Sequence, residues 1–314
     1  MAQNTSHTVE LMTAVEWLLG SDPAIRWQVM RDLRDDPDRV VSAERARVAT
    51  EGWGARLLAL QGPDGQWGGG TYFPEGLGTT PTLLLLRDMG LDPASDEARR
   101  AIALVRENSR WEHEGQPYFE GEVEPCINGM AVAIGAYFGQ DVQGIVDRLL
   151  TEQMADGGWN CEQENGSTRG SFHSTISVLE GLLEYERATG GKSEVTAARL
   201  AGQEYLLERR MLRRLSTGDV VDEAWTQFSY PTHWHYDLLR GLDYLRNAGV
   251  APDERVADAV DIVEQRRGDD GRWLLGNFHE GELHFAMDEG EGKPSLWNTL
   301  RALRVLRWYK EGSR

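Results

Sequence analysis

The chain has 314 residues, with 33 Lys and Arg against 51 Asp and Glu, a formal net charge of −18. That balance argues against nucleic acid or an anionic membrane surface as the main partner, because phosphate binding takes a basic face. At 40% hydrophobic and 27% charged residues, and with no apolar run near the roughly 18 residues of a bilayer helix, it reads as a soluble globular protein with no membrane span.

The opening MAQNTSHTVE has no basic stretch followed by an apolar one, so nothing marks export and a cytoplasmic location is expected. Ala14 to Leu33 then predicts a first helix pair. Three related segments follow: LLALQGPDGQWGG from Leu57, LLTEQMADGGWN from Leu149 and VEQRRGDDGRW from Val263. Each passes from a helical apolar pattern through a Gln (Gln61, Gln153, Gln265) and an Asp-Gly turn to a Trp (Trp67, Trp159, Trp273). Weaker copies lie midway, around Trp111 and before Trp225, so the unit is roughly 45 to 60 residues. After each turn comes an apolar helix with Pro or Gly close before it. These are Thr79 to Met89, Cys126 to Phe138, His173 to Arg187, His233 to Asn247 and Ser295 to Tyr309. The helices before the turns, such as Ser95 to Asn108 and Asp253 to Arg267, carry more charge and are expected to face solvent. Alternating exposed and buried helices predict one all-α domain over residues 1–314, a double-layered ring of about six helix pairs around a cavity. No linker divides the chain, and no segment alternates as a strand would.

The Gln, Asp-Gly and Gly-x-Trp elements resemble the repeat of squalene and oxidosqualene cyclases and of protein prenyltransferase β subunits. The resemblance covers nearly the whole chain and implies an (α/α)6 toroid; it says less about the reaction, since function lives in the site. Physically, Gly makes the tight turn, Trp fills the space between successive hairpins, and Gln ties helix end to loop.

Only two cysteines occur, Cys126 and Cys161, too few for a disulfide framework and better read as reduced thiols or metal ligands. The order EPCINGMAVAIGAYFG, LLTEQMADGGWN, SFHSTISVLEGLL resembles the prenyltransferase β subunit, in which an Asp-x-Cys and a later His hold zinc. Carried over, the resemblance implies Glu124, Cys126 and His173 as ligands, with Glu in place of Asp. Carboxylate, thiolate and imidazole are ordinary zinc ligands, and three protein ligands with an open fourth position describe a catalytic site. The plain alternative is a buried Cys126, a core His173 and a loop Glu124. His233, His235 and Asp237 in PTHWHYD are expected to start the next inner helix and so to face the same cavity, His233 as a further ligand. Histidines two apart on a helix point about 200° apart, so one at most reaches a common ion. Cys161 is a secondary ligand candidate, and His279 and His284 read as loop residues.

Transfer of function from the family is not simple. The loop from Trp111 to Pro125 has five Glu and no Lys or Arg, which opposes a diphosphate. Arg209, Arg210, Arg213 and Arg214 form the one dense basic cluster, expected on the solvated face of an outer helix. Asp32, Asp35 and Asp36 do not match the Asp-x-Asp-Asp acid of triterpene cyclases. No partner subunit is evident. The leading expectation is a zinc-dependent enzyme of the prenyltransferase or terpenoid-cyclase-like class acting on a small apolar or isoprenoid-like substrate. Trp234, Phe172 and Trp297 would line the pocket, and Tyr236 or Asp237 would carry protons. The alternatives are a metal-free terpenoid cyclase or isomerase using an acidic residue, and a non-catalytic toroid that binds lipid or protein.

Overall fold

Capping residues mark several helix starts. Asp22 accepts the Ala24 N–H at 2.9 Å and Pro23 supplies the first helical position, so a short helix α1 (residues 13–19) is followed at once by α2 (Pro23–Asp32). The other carboxylate oxygen of Asp22 accepts the Trp53 N–H at 2.8 Å, so one aspartate sets the starts of both α2 and α4 (Gly52–Ala59), with α3 (Asp38–Ala46) between them. Next come α5 (Thr79–Asp88) and α6 (Asp96–Asn108), whose cap Ser95 accepts the Ala98 N–H at 3.2 Å. In α6, Ala98, Ala101, Ile102 and Val105 are buried, the single stripe of a helix with one wet face. By contrast α7 (Pro125–Tyr137) is buried from Pro125 to Ala136. The remaining α-helices are α8 (Gln143–Thr151), α9 (Phe172–Thr189), α10 (Ser193–Glu208), α11 (Leu238–Asn247), α12 (Ala257–Gln265) and α13 (Leu296–Gly312). The computed structural model describes residues 13–279 and 283–312. These are all-helical, with isolated β-bridges at the turns in place of strands, and none of their helices is long and apolar enough to cross a membrane.

The apolar helices are neighbours in sequence order: α5 packs on α7, α7 on α9, α9 on α11, α11 on α13, and α13 on α2. Two hydrogen bonds join α2 to the end of α5: Trp27 Nε1 donates to the Met89 carbonyl (2.8 Å) and Gln28 Nε2 to the Asp88 carbonyl (3.1 Å). The tightest contact is between α7 and α9, where a Cβ on Gly129 would lie 2.6 Å from the Ser177 backbone and one on Gly181 would lie 2.4 Å from the Gly129 carbonyl oxygen. Only glycine permits that approach. The charged helices stand behind, α8 against α7, α10 against α9 and α12 against α13.

The three Gly-x-Trp turns share one hydrogen-bond scheme. The indoles of Trp67, Trp159 and Trp273 are fully buried and donate to the carbonyl ten residues earlier, Leu57, Leu149 and Val263, at 2.7 to 2.8 Å. Their backbone N–H groups donate to Thr79, Thr175 and Thr299 hydroxyls, which stand in the first turn of the following apolar helix. Gln61 reaches both Gly65 and Ala101 carbonyls, and Gln153 both Gly157 and Ala198, so each ties its turn to the next outer helix. The half-copy at Trp111 departs from this: its indole donates to the Tyr118 carbonyl, and the carbonyl ten residues back, Ala101, takes Gln61.

Two expectations are corrected. The segment from His233 to Asp237 is not helical; α11 begins at Leu238, because the Asp237 side chain accepts the Arg240 N–H (2.7 Å) and caps the helix there. Arg209 to Arg214 lie beyond α10, in a turn where Arg210 and Met211 have φ of +44° and +68°. There Arg209 meets Asp156 (3.2 Å), and Arg210 and Arg213 both approach Asp258.

Candidate metal centre and central cavity

Pro125 opens α7, which puts Glu124 at its cap and Cys126 in its first turn. Cys161 comes from the turn after Trp159, where the Trp159–Ser171 bridge folds the loop back over the start of α9. Asn160 accepts the Glu162 N–H and starts a short 3-10 turn at Cys161, and the Cys161 N–H donates to the Ser174 hydroxyl at 3.2 Å. The result is a cluster: Cys126 Sγ lies 2.9 Å from Cys161 Sγ and 3.5 Å from Glu124 Oε2, and one ligand atom from each residue lies within 4.8 Å of the others. Cys126 is buried, Cys161 half-buried and Glu124 exposed. The hydrogen bond between the sulfurs, with burial second, pushes the Cys126 thiol up, and the same bond draws Cys161 down. Burial, and after it the neighbouring Cys126, Glu75 and Glu124, push the Tyr72 phenol up.

The donor set fits zinc. With zinc–sulfur bonds of about 2.3 Å and a zinc–oxygen bond of about 2.0 Å in tetrahedral geometry, sulfur–oxygen edges are about 3.5 Å and sulfur–sulfur edges about 3.8 Å. The Glu124–Cys126 separation already matches, and the sulfurs would part by about 0.9 Å, within reach of small side-chain rotations. Two thiolates beside a carboxylate repel one another, so full ionisation favours a cation among them.

The expected histidine ligands stand elsewhere. His173 begins α9, but its Nδ1 accepts the Tyr236 N–H at 2.8 Å, and it is not part of the three-ligand group. Its ring meets Trp225, Trp234 and His235 edge-on. His235 stacks between Trp234 (3.8 Å) and His279 (3.6 Å), and His279 Nε2 is 2.9 Å from the Ser229 hydroxyl. Burial, reinforced by the positive charge of Arg240, lowers His173 to about 4. Burial likewise lowers His233 to about 4 and His235 to about 3, and lowers His279 too, so all four imidazoles are neutral at neutral pH. His284 stands apart, with Nε2 2.9 Å from the Thr82 hydroxyl.

The proton-carrier candidates are held in structural bonds. The Tyr236 hydroxyl is buried and donates to the Met211 carbonyl at 2.6 Å. Asp237, 1% exposed, caps α11 and accepts the Ser229 N–H at 3.1 Å. Phe172 packs among Tyr205, Trp225 and Tyr236, while Trp234 donates to Glu75 Oε1 at 3.0 Å on the rim. In the acidic loop, whose glutamates are mostly exposed, Glu112 accepts the N–H groups of Thr71 and Tyr72 at 2.7 and 2.9 Å. Asp32, nearest to a cyclase acid, is pushed up by burial but held down by Arg304 and then Arg31, at about 2, so it is ionised and is no proton donor.

A cavity of about 340 Å³ lies between the apolar helices, toward their C-terminal ends. His233 and Trp297 line it; Glu124, Cys126 and Cys161 do not. Its polar wall was not visible in sequence as a motif. Arg87 of α5, Arg240 and Arg246 of α11, and Arg301 and Arg304 of α13 come to it from three separate apolar helices. Arg240 is the pivot between cavity and rim: its guanidinium grips Glu180 through two bonds of 2.9 and 2.8 Å and donates to the His233 and His235 carbonyls. Comparison with protein-family models, with curated proteins and with solved structures found no match.

Proposed function

We propose that the circle of helix neighbours is an (α/α)6 toroid and that Glu124, Cys126 and Cys161 hold a zinc ion at the rim formed by the N-terminal ends of its inner helices. The observation that carries this reading is the 3.5 Å carboxylate–sulfur and 2.9 Å sulfur–sulfur spacing of three ligands drawn from two separate turns. Bound there, zinc would supply Lewis-acid activation of a water or a substrate thiol at its open fourth position. The reading is therefore of a zinc-dependent enzyme of the prenyltransferase or terpenoid-cyclase-like class. Exposed Phe73 and half-buried Tyr72 and Trp234 give the rim the apolar face that a small isoprenoid-like substrate would use. His173 is the group suited to move a proton. Its Nδ1 is fixed as an acceptor by Tyr236, which leaves the proton on Nε2, and it stands one residue before the Ser174 whose hydroxyl touches Cys161.

Elemental mass spectrometry of purified protein tests the assignment. About one zinc per chain is expected, lost in Cys126→Ser and in Cys161→Ser and retained in His173→Ala. A wild-type protein free of metal after purification with zinc would overturn it, and so would retention of zinc in both serine variants. The short sulfur–sulfur distance also favours a second reading, a dithiol that closes to a disulfide when an added oxidant takes its two electrons and the two thiol protons leave. It predicts no bound zinc and no titratable thiol after mild oxidation.

A further inference from the structure

The central cavity holds more positive charge than its walls require. Besides the five arginines named above, Arg31, Arg45 and Arg187 reach its edge, and four lining carboxylates, Asp88, Glu180, Glu184 and Asp243, oppose the eight. Counting Asp32 and Asp237, which touch Arg304 and Arg301 from behind the wall, still leaves a surplus of two arginines in a chain of net charge −18. Part of that surplus offsets the negative C-terminal ends of the helices.

Dipoles do not account for a second feature. Tyr230, Trp297 and Arg304 line this cavity at 6%, 2% and 5% exposure, and their buried OH, Nε1 and Nε atoms have no protein partner. Three buried donors without acceptors around one cavity are costly to keep, and each is matched by an oxygen that accepts. Burial keeps Tyr230 protonated, and burial, against the pull of Asp32, lowers Arg304 to about 10. Tyr230 and Trp297 stack at 4.4 Å with planes 15° apart, which makes a flat apolar wall beside those donors. The volume is near the lower end of small-molecule sites, roughly 300 to 1,000 Å³. Exposed Arg31, Arg187 and Asn247 bound its entrance on the side of the helix C-termini.

We propose that this cavity binds a small molecule with a dianionic phosphoryl group on a flat apolar body, the oxygens taken by Tyr230, Trp297 and Arg304 and the body laid on the Tyr230–Trp297 stack. The excess of guanidinium over carboxylate groups favours a dianion over a monocarboxylate. The site is separate from the thiol cluster, so it stands or falls independently of zinc.

Calorimetric titration of the full chain, as purified and after chelator treatment, tests this with phenyl phosphate, inorganic phosphate and benzoate. Phenyl phosphate is expected to bind in both preparations, more tightly than the other two and less tightly at high salt. Tyr230→Phe and Trp297→Phe remove a donor with no protein partner, so each should fold, and Tyr230→Phe should melt no lower than wild type. Each is expected to weaken phenyl phosphate by about tenfold, and Arg304→Met to weaken it further. Equal affinity for inorganic phosphate and phenyl phosphate would overturn the apolar body. Absence of binding by any of the three at millimolar concentration, or affinity unchanged in both phenylalanine variants, would overturn the site.

Discussion

The two ends of the apolar helices carry opposite chemistry. At the N-terminal rim stand two thiols, a carboxylate and a group of neutral imidazoles, brought in by short turns and capping residues. Toward the C-terminal ends the groups are guanidiniums, each projecting from the body of a helix and most of them paired with a carboxylate. The rim is thus assembled by local chain geometry, while the cavity draws its lining from α2, α3, α5, α7, α9, α11 and α13. Loop chemistry can change at the rim without disturbing the frame, whereas each cavity arginine is also a strut.

Arg240 belongs to both regions, and its removal should have the largest effect. Arg240→Met leaves Glu180 without its buried partner and frees the His233 and His235 carbonyls, so a loss of roughly 3–5 kcal/mol is expected. Urea denaturation measures it, and adding Glu180→Leu should recover much of the loss. A single variant as stable as wild type would break the idea of a shared strut.

Acid should separate the regions. His173 and His233 are held near 4 in the folded chain against 6.5 ordinarily, so the unfolded chain takes up protons first as pH falls. Their contribution to stability is complete above pH 6.5 and is lost between 6.5 and 4. Asp32, depressed to about 2 from 3.8, contributes fully above pH 3.8 and loses that contribution only between 3.8 and 2. Amide hydrogen exchange at stepped pH should therefore show protection falling around residues 229–237 before it falls at the contact of α2 with α13. The reverse order would refute the two windows. The smallest effect belongs to the arginine run that sequence makes conspicuous: Arg210→Ala, at a partly exposed pair, should change stability by no more than about 0.5 kcal/mol and leave phenyl phosphate affinity unchanged.

The difference between these regions also explains what could be read from the chain. The Gln, Gly and Trp signature was legible because the indole-to-carbonyl bond always spans ten residues. The threonines that complete it were not, since loops of different length put them 12, 16 and 26 residues after the Trp. Cys126, Glu124 and Cys161 could be named as ligand types, but no spacing rule joins two cysteines 35 residues apart; the Trp159–Ser171 bridge does that in space. His173 stood at an equivalent helix start, and only the structure shows its ring turned to the Tyr236 backbone. The cavity arginines were hidden because they come from helices far apart in the chain, and no sequence spacing records that they converge on one cavity. The visible run at Arg209 to Arg214 marks a turn.

The contact between α13 and α2 has a kinetic consequence. Arg304 meets Gln28, and Arg307 meets the Asp32 carbonyl and Asp35, across 276, 275 and 272 residues of chain. The other contacts between successive apolar helices close shorter loops, so joining these two costs more chain entropy than any of those. Folding should therefore proceed as a growing arc of hairpins that nucleates where backbones touch at Gly129 and Gly181, with the last seam shut by arginines. Until then the cavity would be an open trough, and its binding chemistry would appear only with the final step.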